Sequence, residues 1–320
     1  MNVTGYEVGA LLYCPANAHS GVPEALEGEK ISQPFSLAFC LEDTVAEEGV
    51  AEAEAALYQT LRKISAARRE REFYLPRIFI RVRSPRQMRE LAERYGEFSQ
   101  ILRGFILPKF FVDNCGPYIQ AIQSISGEYQ YMPILESPAM VDLPGRYSGL
   151  VQVRDALEAV SDQILNIRVG ASDLSHVFGL RRHVGSTIYD LLPVARLLCD
   201  IVTTFAGQYV VSGPVWEYYG GPGWDTGLRR ETEQDLLSGF TGKTVIHPNQ
   251  IPVVNRCLQV SQSDYLDACR ILNWEPDSPH LVSASTEATR MNEYNTHFRW
   301  AQRVSCLARI YGVRNGRRDL

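Results

Sequence analysis

Eight short runs of apolar and β-branched residues, most of them followed by a helical pattern, constrain this chain more than any other feature. They cover 9–15, 36–41, 77–82, 104–107, 131–135, 164–169, 209–215 and 244–246. Helical spacing is clearest at 44–68, 85–100, 151–160, 190–206 and 227–238; in the first of these Val50, Leu57, Leu61 and Ile64 share a face. Thr44 and Glu47 have the spacing of a capping box, and Ser84-Pro85 puts a polar cap before a proline at the first helical position. Eight strands alternating with helices predict an α/β fold with a parallel (β/α)8 barrel. An open doubly wound sheet is the alternative, but Pro15-Ala-Asn-Ala18 stands where such a sheet carries a glycine-rich phosphate turn. Residues 16–35 leave room for only a short helix, and 217–226 form a glycine- and aromatic-rich loop after the seventh strand.

Beyond Pro248 the pattern changes. Helices are expected over 251–260, 263–272 and 287–312, with a proline-bearing linker at 275–280. The division drawn from this is a barrel domain over 1–273 and a helical C-terminal extension over 274–320. No apolar run reaches the roughly 18 residues of a membrane span, and the N-terminal residues lack a signal-peptide pattern. A net charge of -5 argues against binding duplex nucleic acid. The basic tail Arg314–Arg318 reads as a solvated end. Seven scattered cysteines without a Cys-x-x-Cys pair fit a reducing cytoplasm. Cys14 and Cys40 sit in apolar strands, where a thiol behaves as a small hydrophobe.

Chemistry-bearing residues gather at the C-terminal ends of the runs, the end where a (β/α) barrel builds its site. Tyr131-Met-Pro-Ile-Leu135 runs straight into Glu136, and Gly170-Ala-Ser leads to Asp173 after the neighbouring strand. Each acid alone reads as a cap or surface charge; two on consecutive strand tips suit Mg²⁺, a hard cation that keeps several waters. Arg81 ends the third strand, where a guanidinium can hold a carboxylate or stabilise a developing enolate, and strand alternation does not choose between it and Arg83. Lys109 is either an electrostatic partner or a Schiff-base nucleophile. Glu42 and Asp43 close the second strand, one to cap a helix and one to orient Arg81 or a metal-bound water. His247 fits a general base or a residue that fixes a loop. His176 and His183 flank Arg181-Arg182, a run suited to a phosphate or to solvent.

Five stretches resemble the citrate lyase beta-subunit/HpcH-HpaI aldolase superfamily: Leu12-Tyr-Cys-Pro15, Leu41-Glu-Asp-Thr-Val45, Ile80-Arg-Val-Arg-Ser84, Leu107-Pro-Lys109 and, the most specific, Gly239-Phe-Thr-Gly-Lys-Thr-Val-Ile-His-Pro-Asn-Gln250. Within it the chain is similar to the divergent carbon–carbon bond lyase branch of tellurium-resistance gene neighbourhoods. The resemblance implies a TIM barrel, Mg²⁺ on Glu136 and Asp173, and a substrate arginine at Arg81, with Glu42, Asp43 and Lys109 as neighbours. It also implies a carbon–carbon lyase or aldolase acting on a carboxylic acid or acyl-CoA thioester, and trimers or hexamers. Departures are Cys40 where the family has aspartate, Arg83 where it has asparagine, and an extra segment around Asp142-Leu-Pro-Gly-Arg-Tyr147. The nearest counterpart of the family's tail motif is Thr289-Arg-Met-Asn-Glu293. A barrel that keeps its metal site as an assembly component of a stress-response complex is the second reading, and a metal-independent Lys109 aldolase is the third.

Overall fold

The structure, a computed structural model, describes residues 3–18, 21–275 and 280–314. Its residues pack as two units, Met1–Val254 and Asn255–Leu320. The boundary expected at 273/274 falls inside the second.

The first unit is built on eight parallel strands: β1 Ala10–Pro15, β2 Ser36–Cys40, β3 Arg77–Arg81, β4 Leu102–Leu107, β5 Gln130–Leu135, β6 Ile167–Val169, β7 Val211–Ser212 and β8 Lys243–Val245. They hydrogen-bond in the order β7-β6-β5-β4-β3-β2-β1-β8. A parallel bridge between Gly213 and Lys243 joins the two ends, with Gly213 N donating to Gly242 O at 2.9 Å. This closure excludes the open sheet. The strands read as nearly continuous apolar runs because both faces are covered, side chains inside and helices outside. Val8, Leu11, Ala38, Phe79, Ile106, Met132, Ile134 and Leu165 form a packed interior cluster, with Tyr13 lying against it.

The helices around this ring are α1 Val22–Glu27, α2 Val50–Glu70, α3 Pro85–Arg94, α4 Cys115–Ser124, α5 Leu143–Leu157, α6 Ala171–Val177, α7 Leu192–Phe205, α8 Trp224–Leu237 and α9 Gln250–Leu258, within which the division between the units falls. The Ser84 hydroxyl accepts from Gln87 N and caps α3 as expected. Thr44 does not cap α2. That helix starts at Val50 after a 3-10 turn over Glu47–Gly49, and the Thr44 hydroxyl donates to Cys40 O instead. The segment Asp142–Tyr147 is the start of α5, where the Asp142 carboxylate accepts from Gly145 N at 2.9 Å, so this helix begins eight residues before the expected 151. Its apolar periodicity is interrupted by Gly149, whose missing side chain lets the helix approach Phe111; a Cβ there would lie 2.6 Å from the ring.

The second unit contains β9 Val260–Ser261, α10 Gln262–Leu272, β10 Val282–Ala284, β11 Met291–Glu293, α11 Tyr294–Tyr311 and β12 Val313–Arg314. The single helix expected over 287–312 is therefore a hairpin strand followed by a helix. Asp267, almost fully buried, accepts from Thr286 N and from Arg290, which fixes the turn between β10 and β11 and delays the helix to Tyr294. Residues 276–279 of the expected linker and 315–318 of the basic tail lie outside the described residues. Among the described residues no helix is long and apolar enough to cross a membrane.

Candidate active site

The C-terminal ends of β2, β3, β4 and β5 bring Glu42, Asp43, Lys109 and Glu136 together with Arg81, three of them onto its guanidinium. Arg81, the last residue of β3, points its Nη2 at Glu42 Oε2 (2.8 Å), Asp43 Oδ2 (3.1 Å) and Glu136 Oε1 (2.9 Å). Lys109 crosses the same group: its Nζ reaches Glu42 Oε1 at 2.6 Å and Asp43 Oδ1 at 2.9 Å, and its backbone N–H donates to Glu136 Oε1 at 3.0 Å. Lys109 has φ +50, a left-handed conformation that non-glycine residues rarely adopt, and this turn aims its backbone N–H at the carboxylate. The Lys109 ammonium is held well above its ordinary range: burial opposes the charge, but hydrogen bonds to Glu42 and Asp43 outweigh it. An amine so firmly protonated is a poor Schiff-base nucleophile.

Glu136 is 2% exposed. Burial pushes its carboxyl up to about 7, with Arg81 opposing and the charge of Asp173 adding to the rise. Asp173, in the first turn of α6, is half-buried and has no hydrogen-bond or ion-pair partner among the described residues. Its strand-tip glycine gives Glu136 room: a Cβ on Gly170 would lie 1.9 Å from Glu136 Oε2. Burial also raises Glu42, against the pull of Arg81. Burial works in the same direction on Asp43, but hydrogen bonds with Glu42 and Lys109 outweigh it and leave that carboxyl lowered.

A cavity of about 260 Å³ at the mouth of the barrel is lined among others by Tyr13, Arg81, Glu136, Arg168, Asp173 and Thr244. Arg168 and Thr244 were not singled out by the sequence, although an arginine inside the apolar run 164–169 was the available signal. Arg168 is 1% exposed and donates through Nη2 to the Thr244 hydroxyl at 2.6 Å.

Two expected residues are placed elsewhere. β3 ends at Arg81, so the strand pleat no longer directs Arg83, which turns away from the substrate-binding position expected for it. Its Nη1 donates to the carbonyls of Leu41, Glu42 and Val45, and its Nη2 pairs with Glu47. Arg83 thereby fastens the loop that carries Glu42 and Asp43. His247 lines an adjoining apolar cavity rather than the one above Arg81. Its ring stacks on Tyr219 (4.9 Å between centroids), and its backbone N–H donates to Gln250 Oε1, whose Nε2 in turn donates to the carbonyls of Trp216 and Tyr218. Arg181 pairs with Glu217 at the surface, while Arg182 is buried against Glu231 and stacks on Trp216. Cys14 also lines the adjoining cavity, and burial pushes its thiol up to about 11, which keeps it a non-nucleophilic thiol.

Four carboxylates (Glu42, Asp43, Glu136 and Asp173) face three cations, Arg81, Lys109 and Arg168, so acids outnumber cations by one in a recessed site. One oxygen of Glu136 is engaged by protein donors, while its other oxygen and Asp173 are not. Two carboxylates with open positions for water fit Mg²⁺. Among the described residues no three acidic, histidine or cysteine side chains are arranged to hold a metal ion together, so protein ligands alone do not fill a shell.

Known structures share this architecture. A citrate lyase from Burkholderia xenovorans superposes with a TM-score of 0.69 at 14% identity, covering 97% of this chain and 94% of that one. A CitE protein from Mycobacterium tuberculosis, solved with magnesium, acetoacetate and coenzyme A, gives 0.62 at 19% identity, covering 95% and 99%. RipC from Yersinia pestis gives 0.52 at 17% identity, covering 79% and 95%. At such identities these likenesses establish the fold. No curated protein matches the chain. A family model does match, over residues 2–313, nearly the full length. The chain belongs to the family described as C-C_Bond_Lyase of the TIM-Barrel fold.

Proposed function

We propose that this carbon–carbon bond lyase is Mg²⁺-dependent and acts on a small 2-oxo or 3-hydroxy acid, with Glu136 and Asp173 holding the ion. The observation that carries this is the excess of carboxylates over cations at the barrel mouth, with Asp173 unpaired among the described residues. Magnesium, when bound, supplies a Lewis acid that neutralises charge developing on a substrate oxygen. Arg81 keeps Glu42, Asp43 and Glu136 in register, and Lys109 locks the first two from the solvent side. Asp43, lowered and half-exposed, stays ionised at the mouth, with its Oδ1 and Oδ2 steadied by Lys109 and Arg81.

The test is turnover over a panel of 2-oxo acids, 3-hydroxy acids and their thioesters, combined with Mg²⁺ titration of Glu136→Gln and Asp173→Asn. Chelator-sensitive cleavage of a free acid, with Mg²⁺ affinity lost in both folded variants, is the expected result. Wild-type Mg²⁺ affinity in both variants overturns the assignment.

A further inference from the structure

Arg168 is unlike the other charged groups of the barrel. It lies on β6 inside the ring, 1% exposed, and none of the ion pairs among the described residues includes it. Its Nη2 reaches the Thr244 hydroxyl on β8, while its Nε and Nη1 have no hydrogen-bond partner. Desolvating a guanidinium without a counter-charge is strongly unfavourable, and buried charges persist where something pairs with them. Arg168 also lines the cavity at the barrel mouth, together with Thr244 and Tyr13. Burial pushes the Tyr13 hydroxyl up to about 12, so it remains a neutral donor beside the guanidinium.

Arg81, by contrast, already has acidic partners: its Nη2 faces three carboxylates, although its buried Nε has no hydrogen-bond partner. Among the described residues lining the cavity, Arg168 is the cation without an acidic partner. We propose that Arg168, with Thr244 and the Tyr13 hydroxyl, is the subsite for the substrate's carboxylate at the floor of the cavity, so that the reacting oxo or hydroxy group faces Glu136 and Asp173. This rests on the reading of the mouth as a lyase site and defines the substrate as a short acid bound carboxylate-first. Charge supports a single carboxylate: a divalent ion added to four carboxylates and three cations leaves one net positive charge, which one carboxylate balances. The contacts would be charge-assisted hydrogen bonds in a dry recess, the strong kind.

The experiment measures binding of pyruvate and of pyruvamide, its uncharged analogue, to the full chain by NMR titration in the presence of a chelator. Wild type binds pyruvate at least tenfold more tightly than pyruvamide. Arg168→Met removes that preference and melts at the same or a higher temperature, because it deletes an unpaired buried charge. Thr244→Val weakens pyruvate several-fold and leaves the melting temperature near wild type. Unchanged pyruvate affinity in Arg168→Met overturns the proposal. If that variant does not fold, unchanged affinity in Thr244→Val overturns it instead. Because no metal is present, the outcome is independent of the Mg²⁺ titrations of Glu136→Gln and Asp173→Asn, and either reading can fail alone.

Discussion

Glu136 accepts hydrogen bonds through one oxygen and leaves the other beside Gly170, and this asymmetry produces two expectations at the scale of single residues. First, its carboxyl is held at about 7 instead of 4.5, so the folded protein binds that proton more tightly than the unfolded chain does. The ionisation cost is absent below pH 4.5, grows as pH rises to about 7 and is constant above it; the shift corresponds to on the order of 3 kcal/mol. Glu136→Gln should therefore gain stability over wild type between pH 5 and pH 8 by denaturant unfolding in chelator, and parallel pH profiles would refute this origin of the shift. Second, Gly170→Ala would push a methyl group into Glu136 Oε2. Isothermal titration should show Mg²⁺ affinity falling at least tenfold; wild-type affinity would show that Glu136 is not a ligand. From the sequence, Glu136, Arg81, Glu42, Asp43 and Lys109 are legible as strand-tip residues, while Asp173, expected at a tip, lies in the first turn of α6. Arg83 is not, because its direction depends on where β3 ends. Arg168 is missed because a strand-buried charge acquires meaning only when its missing partners are seen.

At the scale of elements, all eight strands are legible because two buried faces leave long apolar runs bounded by polar tips. The start of α5 and the β10–β11 hairpin are not: glycines obscure the former, and the latter depends on Asp267, a residue distant in sequence. Equally hidden is the pairing of α8 with β8. Lys243, fully buried, contacts Glu231 at 2.9 Å and Asp235 at 2.6 Å, while Tyr189 donates to Asp235 and Arg182 pairs with Glu231. Burial raises the Asp235 carboxyl, with Lys243 opposing. Removing one partner of a buried network leaves uncompensated charge, so Lys243→Met should destabilise the protein by roughly 3–5 kcal/mol. Calorimetry checks this, and an unchanged melting temperature would mean the network contributes little.

For the barrel as a whole, closure is the weakest part of the ring. β7 contains only Val211 and Ser212, paired to β6 through Ile167 and Arg168, whereas β1 and β2 pair along their full lengths. Local opening follows sparse pairing, so amides of β7 should exchange with deuterium faster than those of β1 to β3 in native-state experiments. Equal protection would indicate a uniformly stable ring. Arg168 and Thr244 lie beside this seam, on β6 and β8, while Glu136 and Arg81 stand on the continuous part of the sheet. The barrel thus brings the acid pair and the unpaired guanidinium to one mouth from the neighbouring strands β5 and β6, with Thr244 reaching them from β8 across the closure. A crystal structure of the full chain with Mg²⁺ and pyruvate tests this arrangement most directly. The ion should lie between Glu136 and Asp173, with the pyruvate carboxylate on Arg168; an ion bound away from both carboxylates would contradict it.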